Sequence, residues 1–304
     1  AAGALALGWS AGVRGVEPAA PVAQTPSGPS GIREAAWSPD GKRLAVSWFD
    51  AVWTMNPDGR NARRLLPGAG RGISERDPAW SPDGKSIAFA ADEAGEFNLW
   101  VAPAGGGEAR PVAAMPGDER WPSWTADGRL LFSHRASGGA WQLLVAPADG
   151  SGEAFRWSPE GVSEWQGRVS PDGRWVAFVS DRDPDPADDS DLWVRPYSSS
   201  DAAPSSAAAT RLSTGGGLES HPAWAPDSRR VAYFAERSGD GTGVWVSSLP
   251  PAMTSPAGPA AAGAPGGRGG AARAGGAGFA GGRGGRGGAA AAGSVAFASR
   301  HAGV

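Results

Sequence analysis

Ala36-Trp37-Ser38-Pro39-Asp40-Gly41-Lys42 is a heptapeptide that this chain writes, with small changes, five times. It returns as Trp80-Ser81-Pro82-Asp83-Gly84-Lys85, Trp124-Thr125-Ala126-Asp127-Gly128-Arg129, Val169-Ser170-Pro171-Asp172-Gly173-Arg174 and Trp224-Ala225-Pro226-Asp227-Ser228-Arg229. From one turn aspartate to the next the steps are 43, 44, 45 and 55 residues, a period that belongs to solenoids, propellers or arrays. Ser-Pro-Asp-Gly suits a type I turn: Ser at the first position, Pro presetting φ at the second, Asp bonding to backbone at the third, and Gly tolerating the exit.

Working outward, each turn is followed by an apolar run: Leu44-Ala45-Val46, Ile87-Ala88-Phe89, Leu130-Leu131-Phe132, Val176-Ala177-Phe178 and Val231-Ala232-Tyr233-Phe234. A polar or Gly-bearing gap leads to a third run: Val52-Trp53-Thr54, Leu99-Trp100-Val101, Leu143-Leu144-Val145, Leu192-Trp193-Val194 and Val244-Trp245-Val246. A weaker fourth run closes the unit, as in Arg63-Arg64-Leu65-Leu66, Arg110-Pro111-Val112 and Thr210-Arg211-Leu212. Four short β-type runs per unit, with no sustained 3.6-residue period, predict propeller blades rather than helical repeats. The expected fold class is therefore all-β, a β-propeller of four-stranded antiparallel blades. Five blades are recognisable, with the start of a sixth, as in a fragment of a six- or more-bladed ring. Fifteen tryptophans support this, since each buries roughly 150–250 Å². Those at repeat positions should pack blade on blade, whereas Trp121, Trp141, Trp157 and Trp165 break the pattern and are the better candidates for ligand contact.

In this order of turn, Ile-Ala-Phe-like strand and Leu-Trp-Val-like strand, residues 31–249 resemble the TolB-like propeller family. The resemblance implies fold far more than function. Related blades occur in the Tol-system periplasmic protein, in tricorn-type and prolyl-oligopeptidase-type peptidases, and ahead of some amidohydrolase barrels. The Tol protein carries an α/β domain before its propeller, and only about 30 residues precede the first turn here, so a Tol-system component proper is not expected.

Composition sets further bounds. A net charge of −3 gives no electrostatic case for nucleic acid. With no cysteine, disulfides and thiol catalysis are excluded. Residues 1–30 read as a clipped signal-like segment (Ala1–Trp9) and a Pro/Ala-rich tether, which predicts a periplasmic or secreted protein with no membrane span in the mature chain. Residues 250–293, nearly all Gly, Ala, Pro and Arg, read as a disordered insertion. Residues 294–304 should hold the last strand of blade 5 and the start of the next blade.

Candidate chemistry is thin. Gly8-Trp9-Ser10-Ala11-Gly12 has the letters of a nucleophile elbow but no strand-turn-helix context. His134, His221 and His301 lie in different repeats without metal-ligand spacing. The acidic loop 181–191 resembles a calcium loop, yet Pro186 stands where Gly is needed and Leu192 where Glu is needed. Arg268, Arg273, Arg283 and Arg286 are too sparse, with Phe279 the sole aromatic, for an RNA-binding tract. No catalytic residue, metal or cofactor is expected.

The remaining signal lies just before each turn. Counting back from the Trp position, the fifth residue is Ile32, Glu75, Glu119, Glu164 or Glu219. The next is Arg33, Arg76, Arg120, Trp165 or Ser220, and the one after it Glu34, Asp77, Trp121, Gln166 or His221. The first strand of a propeller blade lines the central channel, so these residues predict polar rings near one mouth. Two readings follow: an inter-blade network in which each Glu pairs with Arg or a backbone amide, or a binding site formed by Glu75, Glu119, Glu164, Glu219, Arg33, Arg76, Arg120 and His221. The expected function is a non-catalytic scaffold for a protein or peptide partner. The alternative is a substrate-screening propeller of a multidomain hydrolase whose amidohydrolase or serine-peptidase domain lies beyond Val304.

Overall fold

The computed structural model describes residues 31–67, 73–92, 95–182, 190–197, 209–213, 217–237, 241–254 and 295–297. Its strands form five antiparallel four-stranded blades in a ring. Blade 1 holds β1 (Arg33–Trp37), β2 (Leu44–Trp48), β3 (Ala51–Met55) and β4 (Arg63–Arg64). Blade 2 holds β5 (Ser74–Trp80), β6 (Ser86–Asp92), β7 (Phe97–Pro103) and β8 (Arg110–Ala113). Blade 3 follows with β9 (Asp118–Trp124), β10 (Arg129–Arg135), β11 (Gln142–Pro147) and β12 (Phe155–Arg156), and blade 4 with β13 (Glu164–Val169), β14 (Trp175–Ser180), β15 (Asp191–Pro196) and β16 (Thr210–Arg211). Blade 5 consists of β17 (Leu218–Trp224), β18 (Arg230–Arg237), β19 (Gly241–Ser248) and β20 (Val295–Phe297). A single helical turn, α1 (Pro251–Thr254), follows β19. The signal-like segment 1–30, most of the insertion and acidic loop, and the start of a sixth unit after Phe297 lie outside the described residues.

The repeated turn works as its residues require. Gly41, Gly84, Gly128 and Gly173 each donate their N–H to the carbonyl three residues back, at 2.8–3.1 Å. All four take positive φ of 68–81°, a region that glycine enters without steric cost. Ser38, Ser81 and Ser170 donate their hydroxyls to the turn aspartate at 2.5–2.6 Å and accept the N–H five residues on at 2.9–3.0 Å. The exposed Asp40 and Asp83 carboxyls are held below the ordinary aspartate range, chiefly by those serine hydroxyls. Each turn thereby fixes the β-hairpin that joins the inner strand to the second.

In blades 1 to 4 the second and third strands are buried along most of their length, so they read as continuous apolar runs: Trp175 through Ser180 are all buried, whereas β19 of blade 5 is largely exposed. Four apolar clusters fill the junctions between successive blades. Ala45, Val52 and Leu65 meet Trp80, Ile87 and Phe89, and Ala90, Leu99 and Val101 meet Leu130, Phe132 and Leu144. Leu131, Leu143 and Trp157 meet Val176 and Phe178, and Leu192 and Val194 meet Val231 and Tyr233. Burial of this kind, at about 25 cal/mol per Å² of apolar surface, is the main force holding blade to blade.

Hydrogen bonds peg the same junctions near the axis. The indole N–H groups of Trp80, Trp124 and Trp224 donate to the carbonyls of Ala36, Ala79 and Arg168 in the preceding blade, at 3.2, 3.0 and 2.8 Å. Blade 4 has Val169 in place of Trp, and Arg168 makes the link instead. Its Nη1 donates to the carbonyls of Trp121 and Pro122 at 3.1 and 3.0 Å. Between blades 5 and 1 no buried apolar cluster occurs among the described residues. There Trp37 is 58 % exposed, and Phe234 and Val244 are exposed on the facing side of blade 5. Trp37 is thus an exception to the expectation that the repeat tryptophans pack blade on blade.

Candidate functional site: the mouth of the central channel

All five inner strands break register at the same place. The shift falls between Arg33 and Ala35, Arg76 and Ala79, Arg120 and Ser123, Trp165 and Arg168, and Ser220 and Ala223. Within each bulge a non-glycine residue takes positive φ: Glu34 at 29°, Asp77 at 55°, Trp121 at 54°, Gln166 at 53° and His221 at 54°. Such backbone costs of order 1–3 kcal/mol per residue and persists where surrounding structure over-determines it. The bulges lie at one level of the ring, and three of their five residues, Glu34, Asp77 and His221, line the axial cavity, as β-bulges commonly re-aim side chains beside sites.

Behind them lies a central cavity of about 860 Å³, within the range of small-ligand sites. Glu34, Asp77, Arg168 and His221 form its polar end, and its walls are Ala36, Ala79, Pro78, Pro122, Pro222 and the edges of Trp80, Trp124 and Trp224. Pro39, Pro82, Pro171 and Pro226 of the repeated turns surround the rest. The cavity therefore has a charged end and a largely apolar shaft.

Bulge residues also link blade to blade. Asp77 accepts from Arg120 through Nε at 2.5 Å and Nη2 at 3.3 Å, and from the Trp121 N–H at 3.3 Å. Gln166 Oε1 accepts the His221 N–H at 2.7 Å. The ring of Trp121 cannot accept in this way, and the hydroxyl of Ser133 takes the Gln166 N–H at 2.9 Å instead. Glu34 differs: its Oε2 is buried and meets no donor among the described residues.

Charge at the mouth is correspondingly uneven. The Asp77–Arg120 pair is self-contained, and Arg120 lies over the rings of Phe97 and Trp121 at 4.5 and 4.9 Å. Among the described residues the Arg168 side chain has only carbonyl partners. Desolvation lowers its guanidinium from the ordinary arginine value, offset in part by Asp77 and Glu34. Burial, and then the positive charge of Arg168, hold His221 below its ordinary value near 6.5, so the imidazole is neutral at neutral pH.

The sequence-derived candidates divide. His221 lines the cavity and Arg120 borders it through Asp77. Arg76 sits farther out, bonded to Ser74 at 3.1 Å and 5.7 Å from the centre of the Phe97 ring, and Arg33 is exposed. None of the four glutamates lines the cavity. Each is buried away from it. Glu75 accepts the Val52 N–H of blade 1 at 2.8 Å and faces Arg64 at 3.4 Å, and burial raises its pKa above the ordinary value. Glu119, raised likewise by burial, lies 3.0 Å from His134 Nδ1. Glu164 receives both Nη groups of Arg195 at 3.1 and 2.9 Å, Ser158 at 2.8 Å, and Arg182. The Glu219 backbone bonds to that of Ser190 at 2.9 Å.

Among the aromatics that break the repeat, Trp157 is fully buried beneath Arg195, 4.1 Å from its guanidinium. Trp121 packs on Trp141 at 5.0 Å. Trp165 is partly exposed. Asp191 of the acidic loop bonds to Arg211 at 2.5 Å and to Ser213 at 3.2 Å, and no cluster fit to hold a metal occurs among the described residues. Sequence reasoning passed over Arg168, although a signal was present. The position before each Trp holds Ala36, Ala79, Ser123, Arg168 and Ala223, so a cation appears only in the unit that lacks the Trp.

Fold and channel together define a β-propeller with a polar axial mouth. A model of the TolB beta propeller domain matches residues 27–186, and the chain belongs to that family. A protein described as a TolB from Agrobacterium tumefaciens is similar over 73 % of this chain and 78 % of its own, with TM-score 0.61 and 20 % identity. TolB from Acinetobacter baumannii matches with TM-score 0.59 and 21 % identity, over 72 % of this chain and 52 % of its own. An oligogalacturonate lyase from Vibrio parahaemolyticus matches with TM-score 0.51 and 16 % identity, over 72 % of this chain and 62 % of its own. At these identities the likeness is one of fold. This chain spans about half of the Acinetobacter protein. No curated protein sequence matches it. No described helix is long and apolar enough to cross a membrane.

Proposed function

We propose that this chain is a non-catalytic binding module of an exported protein, and that it takes a protein segment or peptide at the mouth of its central channel. The observation that carries the reading is the ring of five left-handed bulge residues around a cavity with a charged end and an apolar shaft. A fold does not name its function, but strain repeated five times at one mouth is a costly feature for a purely structural role. Export is supported by the apolar composition of Ala1–Trp9 and the Pro/Ala-rich stretch after it. The reading holds whether the propeller works alone or screens substrate for a hydrolase domain, because in both cases the mouth side chains make the contact.

The test is selection of random peptides against the wild-type chain, followed by affinity measurements on His221→Ala and His221→Arg, at a side chain that lines the cavity. Selected peptides should bind these variants at least tenfold more weakly. Peptides that bind the variants and the wild type equally, or an empty selection, would refute the reading.

A further inference from the structure

The channel mouth holds one anion and one cation that the fold leaves unmatched. Glu34 Oε2 is buried without a donor among the described residues, a state that is unfavourable for an acceptor shielded from water. Among the described residues Arg168 uses only Nη1, on two backbone carbonyls, and has no carboxylate partner. Its Nε and Nη2 are left to recognise a planar anion in the forked manner that suits a carboxylate. The other charges at the mouth, Asp77 and Arg120, neutralise each other, and Gln166 Oε1 is taken by the His221 N–H. Glu34 and Arg168 face the same cavity and sense each other's charge, yet they form no ion pair. Two opposite charges held apart at the end of an apolar cavity complement a ligand that carries both signs.

Resting on the binding role proposed above, we infer that the mouth recognises a short peptide with both termini free, its carboxylate on Arg168 and its ammonium on Glu34. The Ala, Pro and Trp walls then cover its side chains. The inference deepens the binding reading from peptide-like segments in general to free short peptides.

Isothermal titration of the full chain with L-alanyl-L-alanine, its C-terminal amide and its N-acetyl derivative tests it. Both blocked forms should bind at least tenfold more weakly than the free dipeptide. Glu34→Gln should remove the penalty for N-acetylation while keeping that for amidation, and Arg168→Gln should do the reverse. Arg168 also ties blade 4 to blade 3, so its loss endangers folding; the Glu34 side chain makes no hydrogen bond among the described residues, and Glu34→Gln by itself decides the question. Equal affinity for the three ligands, an unchanged pattern in Glu34→Gln, or no binding of the dipeptide at millimolar concentration overturns the inference. If library-selected peptides still bind at the mouth in the same preparation, only this inference falls. If they do not, the binding role falls with it.

Discussion

Replacing Glu164 separates structural from functional use of the buried glutamates. Glu164 and Arg195 are both fully buried, and Arg195 lies 4.1 Å from the Trp157 ring and 4.9 Å from that of Phe178. The carboxylate accepts from both Arg195 Nη groups, from Ser158 and from Arg182. A glutamine has one acceptor oxygen and an amide that donates, so Glu164→Gln sets donor against donor on one side and leaves the guanidinium without its counter-charge. Breaking a buried pair by removing one partner costs about 3–5 kcal/mol. In a domain of this size, that is a fall in Tm of about 6–20 °C. Thermal unfolding followed by tryptophan fluorescence reads the loss, with Trp157 as a local reporter. Peptide affinity, measured at a temperature where the variant stays folded, should remain within twofold of wild type. A fall in Tm below about 2 °C, or a tenfold loss of binding in the folded variant, would refute the assignment of Glu164 to a structural ion-pair network, held by Arg182 and Arg195 within blade 4 and by Ser158 from the segment before it.

Other perturbations have equally definite outcomes. Trp124→Phe loses the indole bond to Ala79 and should cost about 1 kcal/mol, whereas Trp37→Phe, at an exposed ring, should leave the urea midpoint unchanged. Gly128 has φ of +81° in open space, so Gly128→Ala should cost about 1–2 kcal/mol through backbone conformation alone; a neutral result in urea unfolding would contradict the turn geometry. The native pKa of His221 lies below its ordinary value near 6.5, so on acidification the unfolded chain takes up the proton first. This group's contribution is therefore complete above the unfolded value near 6.5 and is lost as pH falls below it and through the lower native value. Urea midpoints of wild type at pH 7.5 and 5.5 should differ more than those of His221→Gln, and equal slopes would contradict the shift.

The five blade repeats, their strand order and their turn chemistry were legible in the sequence because each rests on local rules repeated five times; the size of the ring was not, since the sequence suggested six or more blades and the structure has five. The Ser-Pro-Asp-Gly turn sets a hairpin by itself, and a three-residue apolar run such as Val176-Ala177-Phe178 is buried where a blade packs on both sides. The mouth was legible in part. Alignment on the turn brought Glu34, Asp77, Trp121, Gln166 and His221 to one level, but a left-handed φ on a non-glycine residue has no sequence mark. Side-chain reach was also hidden. The glutamates two positions earlier point into the blade rather than the channel, and Glu164 meets Arg195 across 31 residues of chain, a partner that no local pattern indicates. The exposure of Trp37 has no mark in its own segment, which matches those of Trp80 and Trp124; only the neighbouring blade differs.

Amide hydrogen exchange, with and without a selected peptide, is the most direct measurement of the claim that function sits at the axial mouth. The account predicts protection confined to the inner-strand bulges, residues 33–36, 76–79, 120–123, 165–168 and 220–223, with the outer strands unchanged. Protection confined to outer strands such as β4, β8 and β12, with the bulges unaffected, would contradict it.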